Sequence, residues 1–156
     1  MSKILISYFS ASGVSRRAAE RIKSATNGDL FEIKPLIPYT DEDLDWTNKE
    51  SRSSLEMQDK NSRPEIKEKV INIGEYDTVI IGFPVWWYTA PTIINTFIEQ
   101  NDLNGKKIFI FVTSGSSSYE GSFNNLKQAY PTLNFVGGRR FNGTESNADI
   151  LNWLNM

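Results

Sequence analysis

Three short segments of this sequence concentrate residues that can bind an anion or a flat ring. The first covers residues 8–15 and reads Tyr-Phe-Ser-Ala-Ser-Gly-Val-Ser, directly before a helical pattern. Unpaired amides at a helix N-terminus carry a partial positive charge, and small residues let a phosphate reach them. Ser10, Ser12 and Ser15 add hydroxyl donors. The same letters also suit an ordinary capped helix start, because serine is a favoured N-cap residue.

The second segment covers residues 83–91 and reads Phe-Pro-Val-Trp-Trp-Tyr-Thr-Ala-Pro. Three consecutive aromatic side chains cannot all point into one core, so we expect at least one to project outwards. A projecting aromatic ring offers a stacking surface for a planar ligand. The alternative is an aromatic cluster that only holds the helix beginning at Pro91.

The third segment covers residues 113–121 and reads Thr-Ser-Gly-Ser-Ser-Ser-Tyr-Glu-Gly. Free N–H groups in such a loop can surround the polar edge of a heterocycle, and Tyr119 can cover a ring face. Taken alone, it is a serine- and glycine-rich loop. Taken together, the three segments predict a phosphate cradle, an aromatic wall and a polar rim.

Missing motifs exclude several other ligands and chemistries. The first loop lacks G-x-G-x-x-G, typical of dinucleotide binding, and G-x-x-x-x-G-K-[ST], the nucleotide P-loop. The chain has no cysteine and no histidine, which excludes disulfides, thiolate nucleophiles, iron–sulfur clusters and imidazole bases. No acidic pair follows the first strand, as a phospho-receiver domain would require. The net charge of −2 argues against nucleic-acid binding, and a chain so poor in reactive side chains needs a cofactor for difficult chemistry.

Hydrophobic patterning predicts alternating strands and helices over the whole chain. Continuous apolar runs predict five strands, at residues 3–9, 29–34, 77–83, 107–113 and 134–141, the last interrupted by Gly137-Gly138. Helical spacing predicts five helices, at residues 14–25, from Pro64 through Ile73, 91–101, 121–130 and 146–155. Residues 35–63, here called the excursion, are acidic and irregular, and we expect them to be partly helical. Within the excursion, Tyr39 and Trp46 are expected either to pack locally or to form part of a lid.

This alternation predicts a single α/β domain over residues 1–156, built as a doubly wound five-stranded parallel sheet with helices on both faces. The matching strand order is 2-1-3-4-5, which places ligands beyond the carboxyl ends of strands 1, 3 and 4. The three segments follow those strands. No apolar run approaches the roughly 20 residues that span a bilayer, and Ile4–Ile6 is too short for a signal peptide, so we expect a cytoplasmic protein with no membrane partner.

The sequence resembles the flavodoxin family. Ser10-x-Ser12-Gly13-x-Ser15 matches that family's [ST]-x-[ST]-G-x-[ST] phosphate loop, while the Pro84–Trp87 and Thr113–Gly115 segments resemble its two isoalloxazine loops. The flanks Phe31–Pro35, Arg63–Ile66 and Tyr76-Asp77 resemble a bacterial flavodoxin-like subfamily, and the resemblance covers nearly the whole chain. It implies non-covalently bound FMN as the cofactor.

Carried onto this sequence, the resemblance implies three groups of cofactor-binding residues. Those for the FMN phosphate are Ser10, Ala11, Ser12, Gly13, Val14 and Ser15. Those flanking the flavin ring are Pro84, Val85, Trp86, Trp87 and Tyr88. Those bordering its pyrimidine side are Thr113, Ser114, Gly115, Ser116, Tyr119 and Gly121. No catalytic acid, base or metal ligand is identified.

One departure from the family concerns the second loop. Flavodoxins place a glycine or similar small residue there, and its peptide flips so that a carbonyl accepts a hydrogen bond from N5 of reduced flavin. This sequence has no glycine between Gly82 and Gly105. We therefore predict that a flip placing Trp87 or Tyr88 at positive φ costs roughly 1–3 kcal/mol.

The expected function is redox chemistry, with the partner left open. One alternative is electron transfer to a redox partner protein. Another is reduction of a small-molecule acceptor such as a quinone, with NAD(P)H as the donor; the near-neutral charge and the excursion favour this one. A third is a non-catalytic binding module whose site is empty or repurposed.

Overall fold

Strands and helices alternate along the chain in the computed structural model, which describes residues 3–11, 13–114 and 117–156. The strands are β1 Ile4–Tyr8, β2 Asp29–Glu32, β3 Thr78–Pro84, β4 Lys107–Thr113 and β5 Asn134–Phe141. The helices are α1 Val14–Thr26, α2 Arg52–Gln58, α3 Thr92–Gln100, α4 Glu120–Ala129 and α5 Asn147–Trp153. Within those described ranges, no helix combines the length and the apolarity needed to cross a bilayer.

The five strands form one parallel sheet in the order β2-β1-β3-β4-β5, which confirms the predicted topology. Because every strand runs the same way, the carboxyl ends of β1, β3 and β4 meet at one edge. Pro84 at the end of β3 pairs with Thr113 at the end of β4. The three loops predicted to bind the ligand therefore start side by side.

Alternate strand residues separate the core into two faces. On one face, Ile80 of β3 packs with Ala19 and Ile22 of α1 and with Ile150 of α5. On the other face, Ile81 packs with the apolar stripe of α3 and with Leu126 of α4. Side chains buried on both faces explain why the central strands read as continuous apolar runs.

Two predictions about regular structure need correction. The helix predicted from Pro64 through Ile73 is wrong, because backbone bonds there run to another segment: Lys67 N donates to Lys34 O at 2.7 Å, and Ile66 bridges Pro35. The apolar spacing does not mark the face of an α-helix: Ile66, Val70 and Ile73 pack against the core, while Ile71 is 99% exposed. The Gly137-Gly138 pair does not interrupt β5; the register shifts instead one residue earlier, at Val136.

The excursion folds back onto the carboxyl edge of the sheet. It is partly helical, as predicted, because α2 lies within it. Arg63 closes it against α3 through a bidentate pair with Glu99, with Nη2 to Oε2 at 2.9 Å. That hydrogen-bonded guanidinium holds the pKa of the Glu99 carboxyl below its usual range. Tyr39 of the excursion meets Phe9 and Trp86 edge to face, which places it beside the loops that follow β1 and β3.

Candidate functional site

The first loop ends in an anion-ready helix start. Gly13 is the N-cap of α1 with φ 92°, and its N–H donates to the Ser10 hydroxyl at 2.9 Å. Among the described residues no side chain caps α1, so its first-turn amides point beyond the sheet edge without a side-chain partner. Ser12 lies outside the described residues.

Ser15 connects the first loop to the third. Its hydroxyl lies 2.8 Å from that of Thr113, and both side chains are buried. A pair of hydroxyls has two protons and needs only one for the bond between them. The second proton remains available to a ligand at the junction of α1 and β4.

The aromatic segment after β3 forms a tight hairpin, here called the aromatic turn, residues 86–89. Trp86 N donates to Thr89 O at 2.9 Å and Thr89 N donates back to Trp86 O at 3.0 Å. The central residues Trp87 and Tyr88 have φ 48° and 65°, which is the pattern of a type I′ turn. Their side chains are 45% and 80% exposed. This confirms the expectation that at least one of the three aromatic rings projects.

Positive φ at Trp87 and Tyr88 changes the prediction about the peptide flip. The strain expected from a flip is already present in this turn. Reversing its central peptide would give a type II′ turn, which demands glycine at the position of Trp87. The reciprocal hydrogen bonds and the bulk of Trp87 therefore both oppose the flip.

Trp86 is the inward member of the trio. Its ring meets Phe9 and Tyr39 edge to face, with centroids 5.6 and 5.5 Å apart. The guanidinium of Arg52, in α2, stacks on the Tyr39 ring, 3.8 Å from its centroid. The same guanidinium forms an ion pair with the Glu56 carboxylate at 3.0 Å. The Tyr39 hydroxyl donates to the same Glu56 carboxylate. Burial, and then this hydrogen bond, raise the pKa of Tyr39, so its phenol stays neutral.

Two clefts meet at Val85 and Trp86. The inner cleft, about 490 Å³, reaches from the α1 start across the ends of β3, β4 and β5; it is lined by Val14, Pro84, Val85, Trp86, Thr113, Ser114, Arg140, Phe141 and Asn142. The outer cleft, about 430 Å³, opens beside the aromatic turn; it is lined by Leu44, Trp46, Ser53, Val85, Trp86, Trp87, Tyr88 and Ser117. Together they extend from a helix N-terminus to an aromatic wall, a shape suited to a phosphate ester that carries a flat ring.

Three described residues of the third loop line the clefts: Thr113 and Ser114 line the inner cleft, and Ser117 lines the outer cleft. Ser114 lines the inner cleft, and its hydroxyl donates to the carbonyl of Ser117. Tyr119 lies instead over β5: a Cβ added to Gly138 would come within 2.4 Å of the Tyr119 ring, which also meets Phe123 edge to face. These contacts hold one side of the Tyr119 ring, and its role as a cover for a ligand ring stays a prediction.

Gly121 also has a packing role, since a Cβ there would lie 2.7 Å from the Tyr88 carbonyl oxygen. Its neighbour in α4, Asn125, donates to the Thr89 hydroxyl at 2.9 Å. Gly121 therefore shapes the site by seating the aromatic turn against α4. The other two predicted residues of this loop, Gly115 and Ser116, lie outside the described residues.

The family model for flavodoxin matches residues 3–156. The chain belongs to the flavodoxin family. A crystal structure from Bacteroides eggerthii DSM 20697, provisionally classed as a flavoprotein, is 52% identical with a TM-score of 0.97, covering 99% of this chain and 97% of that one. A flavoprotein from Lactobacillus acidophilus NCFM in complex with FMN is 25% identical with a TM-score of 0.76, covering 99% of both chains.

A curated relative of this flavodoxin-family chain is an uncharacterized NAD(P)H oxidoreductase, YcaK, from Escherichia coli strain K12. The two are 31% identical over 97 residues, 61% of this chain. The match spans 44% of that relative's length.

Leu44 and Ser53 of the excursion were missing from the predicted flavodoxin-type site, while Trp46 was expected either to pack locally or to form part of a lid. Leu44, Trp46 and Ser53 line the outer cleft although 29 or more residues separate them from the loop after β3. An aromatic residue in an acidic, otherwise polar stretch was the available signal for Trp46. Ser53 gave none, because one serine among many has no distinguishing context in the sequence.

Replacing Tyr88 with glycine is expected to raise the free energy of unfolding by up to about 1 kcal/mol. Glycine adopts positive φ without the Cβ strain that tyrosine carries there, and the Tyr88 side chain loses little packing because it is 80% exposed. Urea unfolding at equilibrium measures the change. Tyr88→Ala keeps the strain and should give no gain; equal stabilisation by alanine would contradict the strain argument.

Proposed function

We propose that this chain is an FMN-dependent oxidoreductase that takes a hydride from NAD(P)H and reduces a small flat acceptor such as a quinone. The observation that carries the proposal is the pair of clefts joined at Val85 and Trp86. The inner cleft offers the start of α1 at Val14 and the hydroxyls of Thr113 and Ser114. The outer cleft offers an aromatic wall with room beyond it.

The residues present fit FMN as the cofactor. The first-turn amides of α1, with the hydroxyls of Ser10 and Ser15, would hold the phosphate. Trp86 and Trp87 would border the ring, and Ser114 would lie towards its polar edge. Family membership and the FMN complex of the Lactobacillus acidophilus relative support this assignment. Bound FMN supplies the hydride and electron chemistry that a chain without histidine or cysteine lacks.

The outer cleft is the reason to favour a reductase over an electron carrier. A carrier exchanges electrons at an exposed ring edge and needs no second ligand. Here the excursion places Leu44, Trp46 and Ser53 opposite the aromatic turn, which encloses space beside the expected ring. The relative YcaK, an NAD(P)H oxidoreductase, is consistent with this choice. The overall reaction balances as NAD(P)H + H⁺ + quinone → NAD(P)⁺ + hydroquinone.

Two measurements on the purified protein test the proposal. The protein should be yellow, with flavin absorbance that survives dialysis, and it should oxidise NADH or NADPH when a quinone is added. Yellow protein without turnover would favour the electron carrier. Colourless protein that takes up no added FMN would favour the non-catalytic binding module.

A further inference from the structure

Two lysines face each other across a short backbone pairing just after β2. Pro35 and Ile66 form an antiparallel bridge, and beside it Lys67 N donates to Lys34 O at 2.7 Å. This register puts Lys34 directly opposite Lys67. Residues directly opposite in an antiparallel pair lie on the same face with their Cβ atoms about 5 Å apart, and like charges in that position are destabilising.

Neither lysine ammonium has a partner among the residues that the structure describes. Both side chains are exposed, and neither Nζ forms an ion pair or a hydrogen bond with a described residue. The carboxylate of Glu32, at the end of β2, pairs instead with Arg16, with Nη2 to Oε1 at 4.0 Å. The repulsion between the two lysines is therefore unrelieved, and an anion bound between them would relieve it.

Lys34 and Lys67 line a third cleft, here called the lysine cleft, of about 410 Å³. That volume falls within the roughly 300–1,000 Å³ of small-molecule sites. One wall of the cleft is apolar and consists of Phe9, Pro35, Leu36, Pro38 and Tyr39. Two cations beside an apolar wall suit an anion that is attached to an organic group, because a bare inorganic ion would use only the lysines.

The lysine cleft lies next to the two clefts of the proposed flavin site. Tyr39 lines the lysine cleft, Trp86 lines the inner and outer clefts, and their ring centroids are 5.5 Å apart. A ligand that extends from the flavin ring to the lysines must therefore carry its anion far from its reacting end. NADPH has this form, because its adenosine 2′-phosphate is remote from the nicotinamide that delivers the hydride. NADH differs from it only by lacking that phosphate.

We propose that Lys34 and Lys67 bind the adenosine 2′-phosphate of NADPH and thereby select NADPH over NADH as the hydride donor. This deepens the proposed function and rests on it, because the reductase needs a nucleotide donor beside the flavin. The two lysines are specificity-determining residues. They recognise a phosphate monoester, which carries about −1.5 to −2 charge at neutral pH, and they take no part in hydride transfer.

Equilibrium binding to the FMN-loaded, oxidised protein tests the proposal without turnover. The two probes, adenosine 2′,5′-bisphosphate and adenosine 5′-monophosphate, differ only in the 2′-phosphate. Calorimetric titration of the wild-type protein at low salt should show about tenfold tighter binding of the bisphosphate. Lys34→Ala and Lys67→Ala should each reduce this preference to roughly threefold, because each ammonium carries about half of it. In 0.5 M NaCl the wild-type preference should shrink, since salt screens exposed charges.

Lys69→Ala is the matched control. Lys69 is also exposed and follows Lys67 in the same segment, but it lines neither the lysine cleft nor the inner or outer cleft. Both variants remove one positive charge from this segment, yet only Lys67→Ala should change the preference for the bisphosphate. Lys67→Ala should also keep or slightly raise the melting temperature, because the repulsion across the bridge is removed.

Two outcomes would overturn the proposal. One is a bisphosphate preference that is absent from the wild type or unchanged in both lysine variants. The other is an equal loss of FMN affinity in those variants, which would make the lysines ligands of the FMN phosphate, since Ser10 and Ala11 of the first loop also line the lysine cleft. Failure of the proposed function is distinguishable: if NADPH is not oxidised but the lysines still select the 2′-phosphate, the binding site stands and the reductase role falls.

Discussion

Replacing Gly13 with aspartate is expected to raise the dissociation constant for FMN by about 100- to 1000-fold. The carboxylate would lie beside the phosphate at the start of α1, and two like charges about 4 Å apart repel by roughly 2–4 kcal/mol in a partly solvated site. Asp also adds a Cβ at φ 92°, which strains the loop. Fluorescence titration of the FMN-free protein with FMN measures the change.

Gly13→Ala separates the two causes. Alanine carries the backbone strain without the charge, and the added Cβ has room, since its nearest contact is the Arg17 guanidinium at 3.8 Å. We expect Gly13→Ala to lose about tenfold in affinity and the aspartate variant to lose far more, with a gap that narrows as salt is added. Equal losses in both variants would mean that no phosphate binds at this helix start.

Replacing Trp86 with alanine is expected to lower the free energy of unfolding by about 2–4 kcal/mol and to abolish measurable FMN binding. The ring forms a three-ring cluster with Phe9 and Tyr39, in which each ring meets the other two edge to face, and it lines both clefts. Its removal opens a cavity and frees the anchor that ties the excursion to the aromatic turn. Urea unfolding and calorimetric FMN titration measure the two effects.

Trp46→Ala provides the comparison for that variant. Trp46 lines the outer cleft but is 73% exposed, so its loss should leave the free energy of unfolding within about 0.5 kcal/mol of wild type. FMN affinity should fall less than in Trp86→Ala, since Trp46 does not reach the inner cleft. A Trp86→Ala protein as stable as wild type would contradict the packing role assigned to that ring.

The position of the site follows from topology and was predictable. Apolar runs and helical spacing identify β1, β3 and β4, and right-handed crossovers then bring their carboxyl ends to one edge. The loops at residues 10–11 and 13–14, 84–88 and 113–114 meet there because parallel strands bring their carboxyl ends to the same edge. The C-terminal end of α1 was also predictable from Asn27-Gly28. Asn27 caps the helix with φ 58°, and its N–H donates to the Lys23 carbonyl at 2.8 Å.

The local sequence pattern did not predict structure correctly where a residue's conformation depends on contacts with distant segments of the chain. The spacing of Ile66, Val70, Ile71 and Ile73 mimics a helix, but residues 34–36 satisfy the backbone around Ile66 in an extended form. The loop sequence likewise gives no sign that the Tyr119 ring lies against Gly138 of β5. No single segment contains both partners of such a contact.

The sequence by itself determined the order of the elements, the serine loop before α1 and the three aromatic residues after β3, because turn chemistry and hydrophobic period are local properties. Only the tertiary structure decided which aromatic ring packs and which projects. It also decided that α2 brings Ser53 to the outer cleft. The physical reason is that burial of a side chain depends on the whole surface that closes over it, and that surface comes from distant residues.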